Sequence, residues 1–135
     1  MLHALAICLG ACAGALARWR LGLWLNAPGA ALPWGTLVAN VGGGWLIGLF
    51  LAAAQAMPQL DPAWRALVVT GFLGALTTFS AFSAEVLALL LQGRVGAALL
   101  LALLHLAGSV LAAWAGLAGG GWLWSALGPE SGPAA

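Results

Sequence analysis

Polar side chains are concentrated inside one strongly apolar part of the chain. The segment GALTTFSAFS carries four hydroxyl groups and two phenylalanine rings: Thr77, Thr78, Phe79, Ser80, Phe82 and Ser83. Hydroxyl groups donate and accept hydrogen bonds, and the edges of aromatic rings are electropositive. Neutral donors of this kind can replace the water around a small, strongly hydrated anion.

The same segment is predicted to interrupt a helix. Gly71 and Gly74, followed by two threonines, disfavour regular helix at this point. A broken helix at membrane depth frees carbonyl and amide groups, and such breaks occur where those groups bind an ion or line a wet path. The alternative is a continuous helix whose hydroxyls bond back to their own backbone. The density of polar residues and glycines favours the break.

Polar residues recur four positions apart in two further apolar segments. Thr36 and Asn40 share one helix face, and His105 and Ser109 share another. Each pair alone fits either contacts between helices or the lining of a path. Together with the central segment, they outline a track of hydroxyls, one amide and one imidazole.

The sequence pattern does not indicate an enzyme. It contains no nucleophile–base pair, no cluster of metal-ligating side chains and no phosphate loop. Proton-coupled transporters generally carry a buried carboxylate, and the first, second and fourth apolar segments have none. Besides histidine, Arg18 and Glu85 are the ionisable candidates, and we expect both near span ends.

Four apolar segments must position these groups. The 135 residues are 64% hydrophobic and 5% charged, whereas soluble domains carry about 25% charged residues. Each segment has the ~20 residues that a helix needs to cross a bilayer. We expect spans at about residues 2–25, 32–57, 63–91 and 95–124 and a loose tail at 125–135. The predicted fold class is an all-α integral membrane protein, a single four-span domain over residues 1–135 whose third helix is broken near its middle.

The distribution of arginines and the spacing of small residues indicate how the spans are arranged. The net charge of +1 gives no basic surface for nucleic acid. Arg18, Arg20 and Arg94 belong to one side of the membrane and Arg65 to the other, so a chain with so small a bias could insert both ways round. Small residues about four apart in CLGACAGALA and ANVGGGWLIG predict close helix packing in a compact oligomer.

The sequence resembles the bacterial CrcB or Fluc family of fluoride channels. GFLGALTTFSAFSAE closely matches the third-span motif of the family, and WGTLVANVGGGWLIG matches its second-span pattern. GALARW in the first span and GRVGAALL at the start of the fourth agree as well. The match runs in order from about residue 10 to about residue 116.

The resemblance implies a fold, a function and a cofactor. Members are antiparallel homodimers of four-span subunits in the bacterial inner membrane, with one subunit inverted relative to the other. They export fluoride passively and so lower cytoplasmic fluoride. A structural Na⁺ is held at the dimer centre by backbone carbonyls, and its positions fall here on Gly74 and Thr77.

The resemblance also implies a fluoride pathway. Phe79 and Phe82 match the phenylalanines that line the two pores of the family, and Asn40 matches its pore asparagine. Arg18 resembles the first-span arginine expected to draw anions towards the entrance. The other positions implied on the path are Thr36, Ser80, Ser83, Ser109 and His105. Glu85 follows the motif and has no assigned role.

Three positions depart from the family pattern. His105 stands where relatives tend to carry serine or asparagine, Leu101 replaces a polar residue one turn earlier, and Ala81 replaces the more usual threonine. The main motif is intact, and the departures concern mainly the fourth-span side of the pathway.

Two other functions fit parts of the sequence. A small four-span multidrug or guanidinium exporter, also often of dual topology, depends on a glutamate in the first span, and this first span contains no acid. A non-transporting assembly subunit would use the hydroxyls as contacts between helices. Such a subunit would give no flux in a purified system.

We predict that conduction depends on pH through His105. A histidine donates a hydrogen bond when neutral and adds charge when protonated, near its unperturbed pKa of ~6.5. Fluoride flux from liposomes should therefore differ between about pH 5.5 and about pH 8. Equal flux at the two pH values, or an unaltered pH profile in His105→Asn, would contradict this prediction.

Overall fold

The computed structural model describes residues 1–26 and 32–127. Within these ranges all regular structure is helical, and four helical spans are long and apolar enough to cross a membrane. The first two are α1, Leu2–Leu25, and α2, Trp34–Ala56. The third span is Pro62–Leu91, and the last helix is Val95–Leu127. The predicted all-α architecture with four spans is confirmed.

The third span is made of several pieces. It begins with α3, Pro62–Arg65, and a π-helical segment, Ala66–Leu73. These are followed by α4, Gly74–Leu76, and α5, Phe79–Leu91. The last helix is therefore α6, Val95–Leu127. The chain leaves the helix at Thr77 and Thr78, so the predicted break is present. The two glycines expected to cause it, Gly71 and Gly74, are themselves helical.

Local hydrogen bonds and one glycine fix the helix ends. Asp61 accepts a hydrogen bond from the Ala63 amide at 2.7 Å and so caps α3. The side chain of Asn26, just after α1, accepts one from the Gly35 amide in the first turn of α2, also at 2.7 Å. Gly93 joins α5 to α6 with a φ of 72°, a left-handed conformation that glycine adopts without steric cost.

The last helix is longer than the predicted fourth span. It ends at Leu127, beyond the expected end at Trp124, so the first residues of the predicted tail are helical. The remaining part of that tail, residues 128–135, lies outside the described residues, as do residues 27–31 between the first and second predicted spans.

Glycines allow the helix backbones to approach closely. α2 packs most extensively on α6, and α1 packs on the third span. A Cβ atom at Gly48 of α2 would collide with the Ala113 carbonyl, and one at Gly116 of α6 would collide with the Trp45 carbonyl. Gly14 of α1 is packed against the backbone of the third span in the same way. These contacts confirm the close packing predicted from the small residues.

Two clusters of buried apolar side chains lie between the helices. One contains Leu32, Leu89, Ala98 and Leu101. The other contains Ala39, Leu73 and Leu76. Leu101 is fully buried, so the leucine that departs from the family pattern belongs to the packed core.

We predict that Gly116→Ala destabilises the protein whereas Gly119→Ala does not. Both residues lie in α6, but a Cβ at Gly116 meets the backbone of α2 and a Cβ at Gly119 has nothing within 4 Å. An added methyl at a tight crossing typically costs about 1–3 kcal/mol, whereas alanine in an open helix position gains roughly 0.5–1 kcal/mol over glycine. Thermal unfolding in one detergent would measure both variants, and equal unfolding temperatures would contradict the prediction.

Candidate functional site

The break places two threonines in extended conformation. Thr77 has φ −80° and ψ 155°, and Thr78 has φ −152° and ψ 120°. The Thr78 hydroxyl accepts a hydrogen bond from the Ala81 amide at 3.2 Å and so caps α5. Threonine suits this position because β-branched residues favour extended backbone and a hydroxyl is a good N-cap.

Asn40 of α2 holds the break through its side-chain amide. Its Oδ1 accepts a hydrogen bond from the Thr78 amide at 2.7 Å, and its Nδ2 donates to the Thr78 carbonyl at 2.9 Å. Nδ2 also lies 3.0 Å from Nδ1 of His105 on α6. Both backbone groups of Thr78 therefore have partners outside a regular helix, as a residue at membrane depth requires. We call Asn40, Thr78 and His105 the Asn40 latch.

The latch leaves two carbonyl groups without their helical donors. In a continuous helix the Thr78 amide would bond to the Gly74 carbonyl, and the Ala81 amide would bond to the Thr77 carbonyl. Here the first amide donates to Asn40 and the second donates to the Thr78 hydroxyl. Gly74 and Thr77 are therefore among the positions at the break whose carbonyls lose their helical donors, and the Ala75 carbonyl between them accepts from Arg18 instead. Carbonyl oxygens are the ligands that hard cations take in proteins.

Arg18 reaches the third span from α1. Its Nε donates a hydrogen bond to the Ala75 carbonyl at 3.0 Å, beside the break. The Thr77 hydroxyl also bonds to the backbone before the break, where it donates to the Leu73 carbonyl at 2.9 Å. Arg18 is thus a partner of the backbone that leads into the break.

Three rings lie next to one another beside the break, two on α5 and one on α6. Phe82 and His105 are 7% and 4% exposed, and their ring centroids are 4.6 Å apart. Phe79 is 72% exposed and lies edge-on to Phe82, with centroids 5.3 Å apart and planes inclined by 62°. The ring edges carry the positive part of the aromatic quadrupole.

The predicted serines have different surroundings. Ser80 is exposed, and its hydroxyl lies 3.1 Å from the Thr78 hydroxyl. Ser83 is exposed and donates to the Phe79 carbonyl one turn earlier at 2.8 Å. Ser109 is half-buried on α6, one turn after His105. Its backbone lies against Gly44 of α2.

A groove of about 530 Å³ runs along the break. It brings together seven of the predicted residues: Asn40, Gly74, Thr77, Phe79, Phe82, His105 and Ser109. Four predicted residues do not line it: Arg18, Thr36, Ser80 and Ser83. Gly43, Gly44 and Val69 also line the groove, although the sequence indicated the two glycines only for helix packing and did not indicate Val69 at all. Their apolar or small side chains gave no signal of a site.

A second cavity of about 430 Å³ is lined by Arg18 and Thr36. The Thr36 hydroxyl donates to Oε1 of Glu85 at 2.5 Å, which ties α2 to α5. Oε2 of Glu85 is buried without a hydrogen-bond partner among the described residues. The sequence assigned no role to Glu85, and nothing local in the sequence connects it to a residue 49 positions away.

Four apolar helical spans and a polar break held by side chains define a helical multi-pass membrane protein. The chain belongs to the CrcB family. The family model described as "CrcB-like protein, Camphor Resistance (CrcB)" matches residues 5–117.

Curated relatives cover almost the same part of the chain. A protein of Variovorax paradoxus (strain S110) is 58% identical over 87% of this chain and 93% of its own length. A protein of Albidiferax ferrireducens is 61% identical over 87% of this chain and 89% of its own length. A protein of Paracidovorax citrulli is 53% identical over 90% of this chain and 96% of its own length. All three are named fluoride-specific ion channel FluC.

We predict that Asn40→Ala lowers the stability of the fold. The substitution leaves the Thr78 amide and carbonyl without partners, and each such buried group costs about 1–3 kcal/mol. The unfolding temperature in detergent should therefore fall by several degrees.

The matched control is Ser83→Ala, which removes an exposed hydroxyl bonded within its own helix. This control should change stability by no more than about 0.5 kcal/mol. If Asn40→Ala unfolds at the same temperature as Ser83→Ala, the latch does not hold the break.

Proposed function

We propose that this protein is a fluoride-selective ion channel that exports F⁻ passively and lowers cytoplasmic fluoride. The observation that carries the proposal is family membership together with relatives, 53–61% identical, that are named fluoride-specific ion channels. The relatives are named as ion channels, which agrees with the expectation that this chain is not an enzyme. Fluoride enters acidified cells as HF, ionises inside and leaves down its gradient, so no energy source is needed.

The geometry of the groove supports an anion path. Neutral hydrogen-bond donors and ring edges can replace part of the water around a small anion. Phe79, Phe82 and His105 line the groove next to one another, and Ser109 lies one turn further along α6. No Asp or Glu of residues 1–26 and 32–127 lines this groove, so no acidic side chain in this part of the chain repels an anion there.

The second cavity supports an entrance to that path. Arg18 lines it and carries a positive charge, and Thr36 lines it as a hydroxyl. A cavity with one positive group raises the local concentration of anions. Ser80 and Ser83 are exposed on α5 and do not line the groove of one chain. We place them on the part of the path that a partner subunit would complete.

The proposed assembly is an antiparallel homodimer in the bacterial inner membrane. The exposed Phe79 ring and the exposed Gly74 lie at the open side of the groove, where a second copy would cover them. A two-fold axis in the membrane plane lets the same patch meet its inverted copy. The small arginine bias between the two sides supports insertion in both orientations.

A structural Na⁺ at the dimer centre is part of the proposal. The residues fit such an ion, because the break takes the helical donors away from the Gly74 and Thr77 carbonyls. Two carbonyls from each subunit would give an oxygen-only shell of the kind that a hard cation takes. The ion would join the two breaks across the two-fold axis.

Fluoride efflux from liposomes that contain the purified protein tests the function. A fluoride electrode follows efflux after valinomycin is added, and chloride efflux is the control. We expect fast fluoride efflux with no chloride efflux, and slower fluoride efflux in Phe82→Ile, because that substitution removes a buried ring beside His105. A folded protein without fluoride efflux would contradict the proposal.

A further inference from the structure

Three consecutive glycines of α2 have three different surroundings. A Cβ atom added at Gly42 would have nothing within 4 Å, and one added at Gly44 would lie 2.6 Å from the Ser109 carbonyl oxygen of α6. A Cβ atom added at Gly43 would instead overlap the methyl group of Thr77 in the break. Gly43 is buried and lines the groove together with Thr77. Of these three glycines, Gly43 is therefore the one that faces the break.

The missing side chain of Gly43 leaves a notch that receives the Thr77 methyl group. The next atoms around an added Cβ would be the Thr77 Cβ at 3.8 Å and the Leu76 Cδ2 at 3.9 Å, which are ordinary van der Waals distances. The methyl group is thus the obstacle to a side chain at Gly43.

The Thr77 side chain cannot turn out of this notch without losing a hydrogen bond. Its hydroxyl donates to the Leu73 carbonyl at 2.9 Å. The hydroxyl and the methyl are attached to the same carbon, and such β-branched side chains have few allowed rotamers. A rotation that withdrew the methyl group would therefore carry the hydroxyl away from Leu73. The other way to make room for a Cβ at Gly43 is to move the Thr77 backbone.

Asn40 and Gly43 hold the two ends of one peptide unit. They lie three residues apart, on the same face of α2. The Thr77 carbonyl and the Thr78 amide belong to a single planar unit. Asn40 accepts the hydrogen of that amide at 2.7 Å, and Gly43 receives the side chain at the other end of the unit. The orientation of the Thr77 carbonyl is fixed by these two contacts together.

We infer that Gly43 is a positioning residue of the break, whose missing side chain seats Thr77 so that the Thr77 carbonyl keeps one orientation. The inference rests on the proposed function, in which this carbonyl is a ligand of Na⁺ and the break lies beside the fluoride path. Gly43 acts through Thr77 and not through contact with an ion.

Gly43→Ala tests the inference, and Gly42→Ala is its matched control. Both substitutions add one methyl group to the same helix and bring the same gain in helix propensity, but only the first meets Thr77. We expect Gly43→Ala to lose most of its fluoride efflux from liposomes and Gly42→Ala to retain it. Equal fluoride efflux from the two variants would overturn the inference.

A second substitution at Thr77 should rescue Gly43→Ala. Thr77→Ser removes the methyl group and keeps the hydroxyl that donates to Leu73. The double variant Gly43→Ala/Thr77→Ser transfers one methyl group from the break to α2, so it should regain fluoride efflux that Gly43→Ala lacks. Gel filtration in detergent first checks that each variant is folded. If Gly43→Ala fails to fold, a folded and conducting double variant supports the inference. A double variant that does no better than Gly43→Ala overturns it.

The response to sodium separates carbonyl orientation from general packing. A ligand that binds the folded state raises the unfolding temperature. Each protein is purified and unfolded in sodium chloride and, in parallel, in N-methylglucamine chloride. Sodium should raise the unfolding temperature of the unsubstituted protein and of Gly42→Ala, and should raise that of Gly43→Ala less. If Gly43→Ala lowers the unfolding temperature equally in both salts, Gly43 serves packing alone and the inference is wrong.

These experiments separate the role of Gly43 from the function itself. If the unsubstituted protein shows neither fluoride efflux nor a sodium-dependent rise in unfolding temperature, the proposed function is wrong and the inference falls with it. If the unsubstituted protein shows both and Gly43→Ala behaves like Gly42→Ala, only the role of Gly43 is wrong.

Discussion

A backbone amide that leaves a helix in an apolar environment needs another partner, and Thr78 finds it in Asn40. The rest of the site depends on this exchange. Asn40 reaches the break because α2 is fixed against α6 at crossings where Gly48 and Gly116 let the backbones touch. Close packing of α2 on α6 at glycines thus accompanies the contact between Asn40 and His105 beside the break.

One interruption produces groups of opposite electrostatic character. On the side of α4 it frees carbonyl oxygens at Gly74 and Thr77, which attract cations. On the side of α5 it brings the rings of Phe79 and Phe82 next to His105, and the edges of aromatic rings are electropositive. In the proposed channel, one short break would therefore supply oxygen ligands for a cation and ring edges for an anion.

The sequence predicted those features that depend on neighbouring residues. Apolar segments of sufficient length gave the four spans, and the cluster of glycines and hydroxyls gave the break. The contacts that build the site join residues far apart in the chain, such as Asn40 with Thr78 and Thr36 with Glu85. Such pairs depend on how whole helices cross, which no local pattern contains. The π-helical segment, Ala66–Leu73, was also missed, because its mostly apolar residues are equally common in a regular α-helix.

The neutrality of the Asn40 latch has an electrical consequence. A membrane potential of 100 mV does about 2.3 kcal/mol of work on each elementary charge that crosses the bilayer. An amide and a backbone unit carry no net charge, and neither does the imidazole of His105 when it is unprotonated, so the potential then does no net work on the latch if its parts move together. Voltage then does work on a permeating ion but no net work on the latch, and the latch of an inverted copy would behave in the same way in the same field.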